Sequence, residues 1–310
     1  MKNLSYKKVA VLLPTFNGER FLAPQLDSLF AQSHPNMVIV TRDDGSSDDT
    51  QRIVQRYGDQ FPGQVVTVVD NKGNLGASGN VSLLMQHIID HGAALDLQDA
   101  WLMLCDQDDI WEPDKITREL SAMEKLESRY PNAPLLVHSD LRVVGEDGAL
   151  IASSFLDYQG LDASSNQFKK LVFINTVTGC TTLFNQQLAK KALPIPEQAV
   201  MHDWWLALVA AEFGHIDCIP QPLVRYRQHG NNTLGASAFI GHAIFSPATL
   251  KLLLRKRADA LLKATADQAG AFLCRYGSEM TLLDRVRLKL AGYYTDYYFI
   301  QRALLRLLKL

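Results

Sequence analysis

The first third of this 310-residue chain alternates short, unbroken apolar runs with segments of helical period, and that alternation narrows the folds open to it. Val9–Leu13, Val38–Thr41, Val65–Val69 and Trp101–Cys105 read as strands. Phe21–Gln32, Asp48–Tyr57 and Ser78–His91 carry helical spacing between them. Strands that are apolar on both faces belong to a parallel sheet covered by helices on each side. Ligands of such sheets bind beyond the carboxyl ends of the strands. The chain's polar clusters fall at those ends: Pro14–Gly18, Asp43–Asp49, Asn71–Asn80 and Asp106–Asp109.

Further on the pattern loosens. Leu135–His138 and Cys180–Phe184 read as strands, Asp203–Glu212 as a helix, and Ile216–Ile219 and Leu223–Tyr226 as short strands. From about residue 245 the chain reads as helices rich in Leu and basic residues. The expected fold is α/β, a mixed and mainly parallel Rossmann-like sheet flanked by helices. Residues 1–235 form one catalytic domain and 236–310 a helical C-terminal extension. The composition, 47% hydrophobic and 21% charged, is that of a globular chain.

Four cysteines, none in a C-x-x-C pair, suggest neither a zinc site nor a disulfide framework, and fit a reducing, cytoplasmic setting. The run Val9–Leu13 ends at Pro14, too soon for a signal-peptide core, and no stretch of 18 apolar residues suggests a membrane span. Charge is divided: residues 241–310 hold 12 Lys/Arg against 5 Asp/Glu, the rest 19 against 28. An acidic body argues against a nucleic-acid enzyme, which needs a broad basic face over the phosphates.

Asp106-Gln107-Asp108-Asp109 places three carboxylates in four residues at a strand end. Such groups repel one another and resist desolvation unless a cation neutralises them. Hard oxygen ligands suit Mg2+ or Mn2+. The alternative is an acidic helix start, with Asp109 capping a helix that begins near Pro113. After the second strand, Ser47 or Asp48 suits a helix cap, but Asp43 and Asp44 stand too early for that role. A carboxylate there can accept the ring N–H of uracil or thymine. The glycines at 73, 76 and 79 miss the G-x-G-x-x-G spacing of a dinucleotide loop, which disfavours an NAD(P)-dependent oxidoreductase.

Taken in order, Pro14-Thr15-Phe16-Asn17-Gly18, Asp43-Asp44-Gly45-Ser46, Asn74-Leu75-Gly76 with Asn80, and Asp106-x-Asp108 resemble a family 2 glycosyltransferase of the GT-A fold. Thr178-Gly179-Cys180-Thr181, His202-Asp203-Trp204-Trp205 and Tyr226-Arg227-Gln228-His229 resemble its bacterial rhamnosyltransferase-like branch. The resemblance implies that Pro14, Thr15 and Asn17 line the nucleoside pocket and that Asp44, with Asp43 beside it, meets the base. It implies that Asn74 and Asn80 lie near the ribose and diphosphate, and that Asp106 and Asp108 hold a divalent metal, Mn2+ or Mg2+, approached by His229. Asp203 matches the catalytic base. Gly179, Cys180, His202, Trp204 and Trp111 are acceptor-side candidates, with Trp205 a further indole for sugar stacking. A Q-x-x-R-W signature is missing, which favours a single transfer over polymer extrusion.

The reaction implied is an inverting transfer from a nucleoside diphosphate sugar, dTDP-rhamnose first and UDP-hexose or UDP-N-acetylhexosamine behind it, to a hydroxyl of a surface glycan or lipid-linked acceptor. A non-catalytic nucleotide-sugar sensor on the same fold would have no need of Asp106, Asp108 and Asp203 together. The stretch Leu282–Leu310 combines an apolar stripe with Arg285, Arg287, Lys289, Arg302, Arg306 and Lys309. It reads as a helix packed on the catalytic domain, a peripheral contact with the inner face of the cytoplasmic membrane, or a homodimer contact.

Overall fold

The computed structural model describes residues 7–162, 166–230 and 256–292. Its first half runs β1 (Val9–Thr15), α1 (Leu22–Phe30), β2 (Met37–Asp43), α2 (Thr50–Gln60), β3 (Val65–Thr67), α3 (Gly76–His91) and β4 (Trp101–Leu104). Then come β5 (Ile110–Trp111), α4 (Lys115–Arg129), β6 (Leu135–Val144), β7 (Leu150–Ala152), α5 (Phe155–Gln159) and α6 (Phe168–Leu171). A 3-10 turn (Gly179–Thr181) leads into β8 (Thr182–Phe184), followed by α7 (Gln186–Ala192), α8 (His202–Phe213) and β9 (His215–Arg227). The last described elements are α9 (Lys256–Tyr276) and α10 (Leu282–Ala291).

One sheet runs in the order β3-β2-β1-β4-β8-β6-β9-β5, with β7 on β6. Strands β1 to β4 are mutually parallel, and β6 pairs β9 in parallel over the longest ladder. β8 runs antiparallel between the two groups. Alternate residues of β1 serve opposite cores. Ala10 and Leu12 pack in a cluster with Leu84 of α3 and Trp205 of α8. Val9, Val11 and Leu13 pack in a second with Leu26 of α1 and Leu120 of α4. That explains why the strand reads as unbroken apolar, and the mixed, mainly parallel fold stands as expected from it.

Several bounds differ from the sequence reading. The β3 run ends at Thr67 and leaves Val69 exposed. Cys180 and Thr181 form a tight turn before β8, not part of the strand. Ile216–Ile219 and Leu223–Tyr226 join into one long β9, whose register against β6 shifts twice between Ser139 and Arg142. Pro220 and Pro222, which lack the N–H a ladder needs, hid that continuity. β6 runs on through His138, Ser139 and Asp140, all buried, where polarity suggested an end. Asp109 caps no helix: α4 starts later, at Lys115. In α9, Phe272 and Tyr276 pack on Trp205 and Phe213. The expected boundary at 235/236 falls outside the described residues.

Candidate active site

A cleft of about 380 Å³ opens where β1, β2 and β4 end. One wall is Pro14, Thr15 and Phe16 at the end of β1, Asp44 after β2, and Asn74, Gly76, Ala77 and Asn80 around the start of α3. The floor is Asp106, Gln107 and Asp108 after β4. The far wall is Gly179 of the 3-10 turn, Met201, His202 and Asp203 at the start of α8, and Tyr226 of β9.

The first wall is braced by buried charge. Arg42, itself buried, donates to Asp44 at 2.5 Å and to Asp70 at 2.7 Å, and to the Gly73 carbonyl. Hydrogen bonding from Arg42 holds the Asp70 carboxyl down at about 2. Asp44 also accepts the N–H groups of Leu75 and Gly76, so it ties the loop before α3 to the end of β2. Gly76 sits at φ 68°, a left-handed conformation that glycine adopts without strain. Asn74 donates to the Asp44 carbonyl and accepts from Gly76 N. Asn80 donates to the Arg42 carbonyl.

Two residues expected in this pocket, Asp43 and Asn17, brace the loop after β2 and stand outside the lining of the main cleft. The Asp43 carboxylate accepts from Thr15 Oγ1, Gly45 N, Ser46 N, Ser46 Oγ and Gln51 Nε2. Asp43 also lines a smaller pocket next to the cleft, with Thr15, Gln51 and Asp70. Burial works to raise its pKa, and hydrogen bonds from Ser46, Gln51 and Thr15 outweigh it and leave the carboxyl below its usual range. Asn17, at φ 46°, turns its Oδ1 to the Ser47 N–H and lies outside the cleft lining.

On the floor, burial together with the neighbouring Asp108 and Asp203 charges pushes the Asp106 carboxyl up to about 7. Asp108 Oδ2 meets His229 Nε2 at 2.8 Å. Phe21 stacks on the His229 ring at 4.9 Å, and the Arg227 guanidinium covers the same Phe21. Arg227 also donates Nε–H to the Asp108 carbonyl and its backbone N–H to Asp109. Among the described residues, Asp106, Asp109 and Cys180 are the one group of three potential ligands whose atoms lie within 4.8 Å of one another. Asp109 and Cys180 are fully buried and do not line the cleft, whereas Asp106 belongs to both the group and the cleft. The oxygens of Asp106 and Asp108 with the His229 imidazole offer the donor types a hard divalent cation takes, and a cation there relieves the carboxylate repulsion.

In the far wall, Asp203 accepts the Gly179 N–H at 2.9 Å and the Trp204 N–H at 2.6 Å. Burial raises its carboxyl to about 6, and these hydrogen bonds restrain the rise. The tryptophans are elsewhere. Trp204 packs in the core and donates Nε1–H to the Leu171 carbonyl. Trp205 donates to the Ala192 carbonyl, deep in the same cluster. Trp111 lies in the opposite core with the Lys115 ammonium 4.0 Å from its ring. None of the three lines the cleft, because each fills the space between a helix and the sheet. Cys180 likewise faces inward. Sequence reasoning passed over Phe16, Gln107, Met201 and Tyr226. Phe16 carried a signal: it breaks the apolar strand's end with an aromatic that is 46% exposed.

Comparison with known proteins adds three findings. The profile of glycosyl transferase family 2 matches residues 10–189. Among curated relatives, an uncharacterized protein of Mycobacterium tuberculosis is 26% identical over 226 residues, 72% of this chain and 59% of its own length. The match therefore spans under two thirds of that relative. An uncharacterized glycosyltransferase of Nostoc is 23% identical over 93% of this chain and 83% of its own. The dTDP-rhamnosyl transferase RfbG of Shigella flexneri is 26% identical over 73% and 74%. Among solved structures, Staphylococcus aureus TarS in complex with UDP superposes with a TM-score of 0.57 at 15% identity, covering 96% of this chain and 91% of that one. Mannosyltransferase PcManGT from Pyrobaculum calidifontis, in complex with GDP-Man and Mn2+, gives 0.53 at 16% identity, covering 99% and 87%. At such identities the likeness is one of fold, and the fold is GT-A.

Proposed function

The chain belongs to glycosyl transferase family 2, and on that premise we propose that it moves a single sugar, with inversion, from a nucleoside diphosphate to a hydroxyl of a surface polysaccharide or lipid-linked glycan. The observation that carries this reading is the convergence of Asp106, Asp108 and Asp203 on one cleft at the strand ends. Floor and far wall thereby supply a diphosphate site and a buried carboxylate facing it. Asp106, Asp108 and His229 would hold Mn2+ or Mg2+, which when bound neutralises charge developing on the leaving diphosphate. The pocket between Phe16, Asp44 and Asn74 would take a pyrimidine base, with Asn80 toward the ribose and diphosphate.

The acceptor oxygen bonds to the anomeric carbon as that carbon's bond to the diphosphate breaks. The electron pair leaves with the diphosphate, and the acceptor proton passes to Asp203. Attack from the face opposite the leaving group inverts the centre. dTDP-rhamnose is the first sugar donor to test, supported by the RfbG similarity. A lipid-linked acceptor would be met at the inner face of the cytoplasmic membrane.

The test is turnover of dTDP-rhamnose and of UDP-hexoses, each with Mn2+ or Mg2+. Asp108→Ala is expected to lose cation-dependent turnover while keeping its melting temperature within a few degrees. Native protein is expected to bind UDP or dTDP more tightly than ADP or GDP. Full turnover in excess EDTA would remove the metal from the proposal, and equal affinity for all four nucleotides would remove the pyrimidine.

A further inference from the structure

Gly179 lines the cleft beside two polar groups. A Cβ built on it would come within 3.2 Å of His202 Nε2 and 3.7 Å of Asp203 Oδ2. Its φ lies outside the left-handed region, so the backbone does not demand glycine here. What the missing side chain leaves is a notch, bordered on one side by an imidazole nitrogen and on the other by a carboxylate oxygen. Asp203 Oδ2 spends one lone pair on the Gly179 N–H, which fixes it at the notch edge.

The two nitrogens of His202 are in different situations. Nδ1 is sealed from solvent with no hydrogen-bond partner among the described residues. Nε2 is the ring nitrogen nearest the notch. The residue is 4% exposed, and burial lowers its pKa to about 4, so the ring is neutral near pH 7. A neutral imidazole carries one N–H. Structures tolerate a buried, under-used acceptor more readily than a buried orphan N–H. The sealed Nδ1 is therefore the bare lone pair, and the hydrogen sits on Nε2, toward the notch.

We propose that the Gly179–His202–Asp203 notch is the subsite for the acceptor hydroxyl, with His202 Nε2–H donating to the oxygen and Asp203 Oδ2 accepting its proton. A hydroxyl needs both partners at once, one for a lone pair and one for its hydrogen. Orientation is what His202 adds: it turns the oxygen's remaining lone pair to the anomeric carbon before the proton leaves. The acceptor thus touches a donor–acceptor pair that is size-limited by Gly179. This assignment rests on the transfer reading above and specifies where its nucleophile sits.

Two experiments test it. The first uses water as the nucleophile, following hydrolysis of the sugar donor with cation present and no other acceptor. Gly179→Ala and His202→Phe are each expected to slow hydrolysis at least tenfold, with the Kd for UDP or dTDP unchanged within twofold. His202→Phe removes a sealed nitrogen that has no partner, so its melting temperature is expected to match or exceed native. His202→Gln, which restores an N–H donor, is expected to recover part of the rate. Unchanged hydrolysis in both of the first two variants, or nucleotide affinity falling in step with rate, overturns the subsite. The second is 15N correlation spectroscopy on histidine-labelled protein, with His202 assigned from His202→Phe. An Nε2–H tautomer at pH 7 supports the assignment, and an Nδ1–H tautomer overturns it whatever the activity. Native protein that binds no nucleoside diphosphate removes the transfer reading itself, a result separate from either of these.

Discussion

Burial gives the Asp203 carboxyl opposite effects on rate and stability. Its folded value of about 6 lies above the ordinary 3.8. The unfolded chain releases this proton first, so the stabilising contribution is complete below about 3.8 and is lost as pH rises through about 6. A base needs the ionised form, so transfer is lost as pH falls through the same value. At saturating cation and sugar donor, the rate is expected to climb with pH and level off above about 6. Asp203→Asn is expected to lower transfer by about 10²-fold or more and to abolish the limb, with nucleotide binding retained. A variant with near-normal turnover rules out the base. At this scale a place in the cleft was legible where a polar residue follows a strand or opens a helix, as with Asp106, Asp108 and Asp203. It misled where an indole fills the core. Trp111 and Trp204 carry the aromatic faces of sugar-stacking residues and are packed in the two cores, a placement that only the folded chain reveals.

Among the elements, α8 explains why its neighbours matter to the site. Its first nine residues, His202 to Ala210, are all buried, so it has no solvent face to signal amphipathic packing. Its position is set by what encloses it. Phe272 of α9 is fully buried and meets Trp205 edge-on at 5.3 Å, Phe168 at 5.5 Å and Tyr276 at 4.8 Å. Gln268 on the same helix accepts the Val200 N–H at 2.9 Å, just ahead of His202 and Asp203. The C-terminal helices therefore share the core that encloses α8 and pin the segment that carries Asp203. Phe272→Ala is expected to cost about 3–5 kcal/mol in urea unfolding. Unfolding is expected to remain a single transition, because α9 and α8 share one cluster. An α9 that melts separately, leaving the sheet's transition in place, would show the extension to be an independent unit. The sequence offered α9 only as a Leu-rich basic stretch, since the aromatic contacts that seat it come from Phe168, Trp205 and Phe213, far earlier in the chain.

At the scale of the molecule, the question left by the sequence is where the basic C-terminal region faces. No helix among the described residues is long and apolar enough to cross a membrane. Part of α10 does pack: Leu288 and Ala291 are buried, and Glu212 of α8 feels the charges of Asp284 and Arg287. Its other edge is open, with Leu282 71%, Leu283 59% and Val286 43% exposed. Lys289 is exposed on the same helix, and Arg287 pairs with Asp284. The rest of the stripe, from residue 293 on, lies outside the described residues. Packing alone therefore accounts for one edge of α10 and leaves an apolar edge with basic neighbours. Apolar side chains at the headgroup boundary and cations over anionic lipid act together, each basic residue adding about 1 kcal/mol that salt screens. Full-length protein is expected to co-sediment with vesicles containing phosphatidylserine at low salt, to be released at high salt, and to ignore purely zwitterionic vesicles. Leu282→Ser with Leu283→Ser and Val286→Ser changes only exposed positions, so folding is expected to hold while vesicle binding falls. Protein that stays in the supernatant throughout, and sediments as a dimer that these changes dissociate, would assign the edge to self-association, since the same stripe pairs with its own copy.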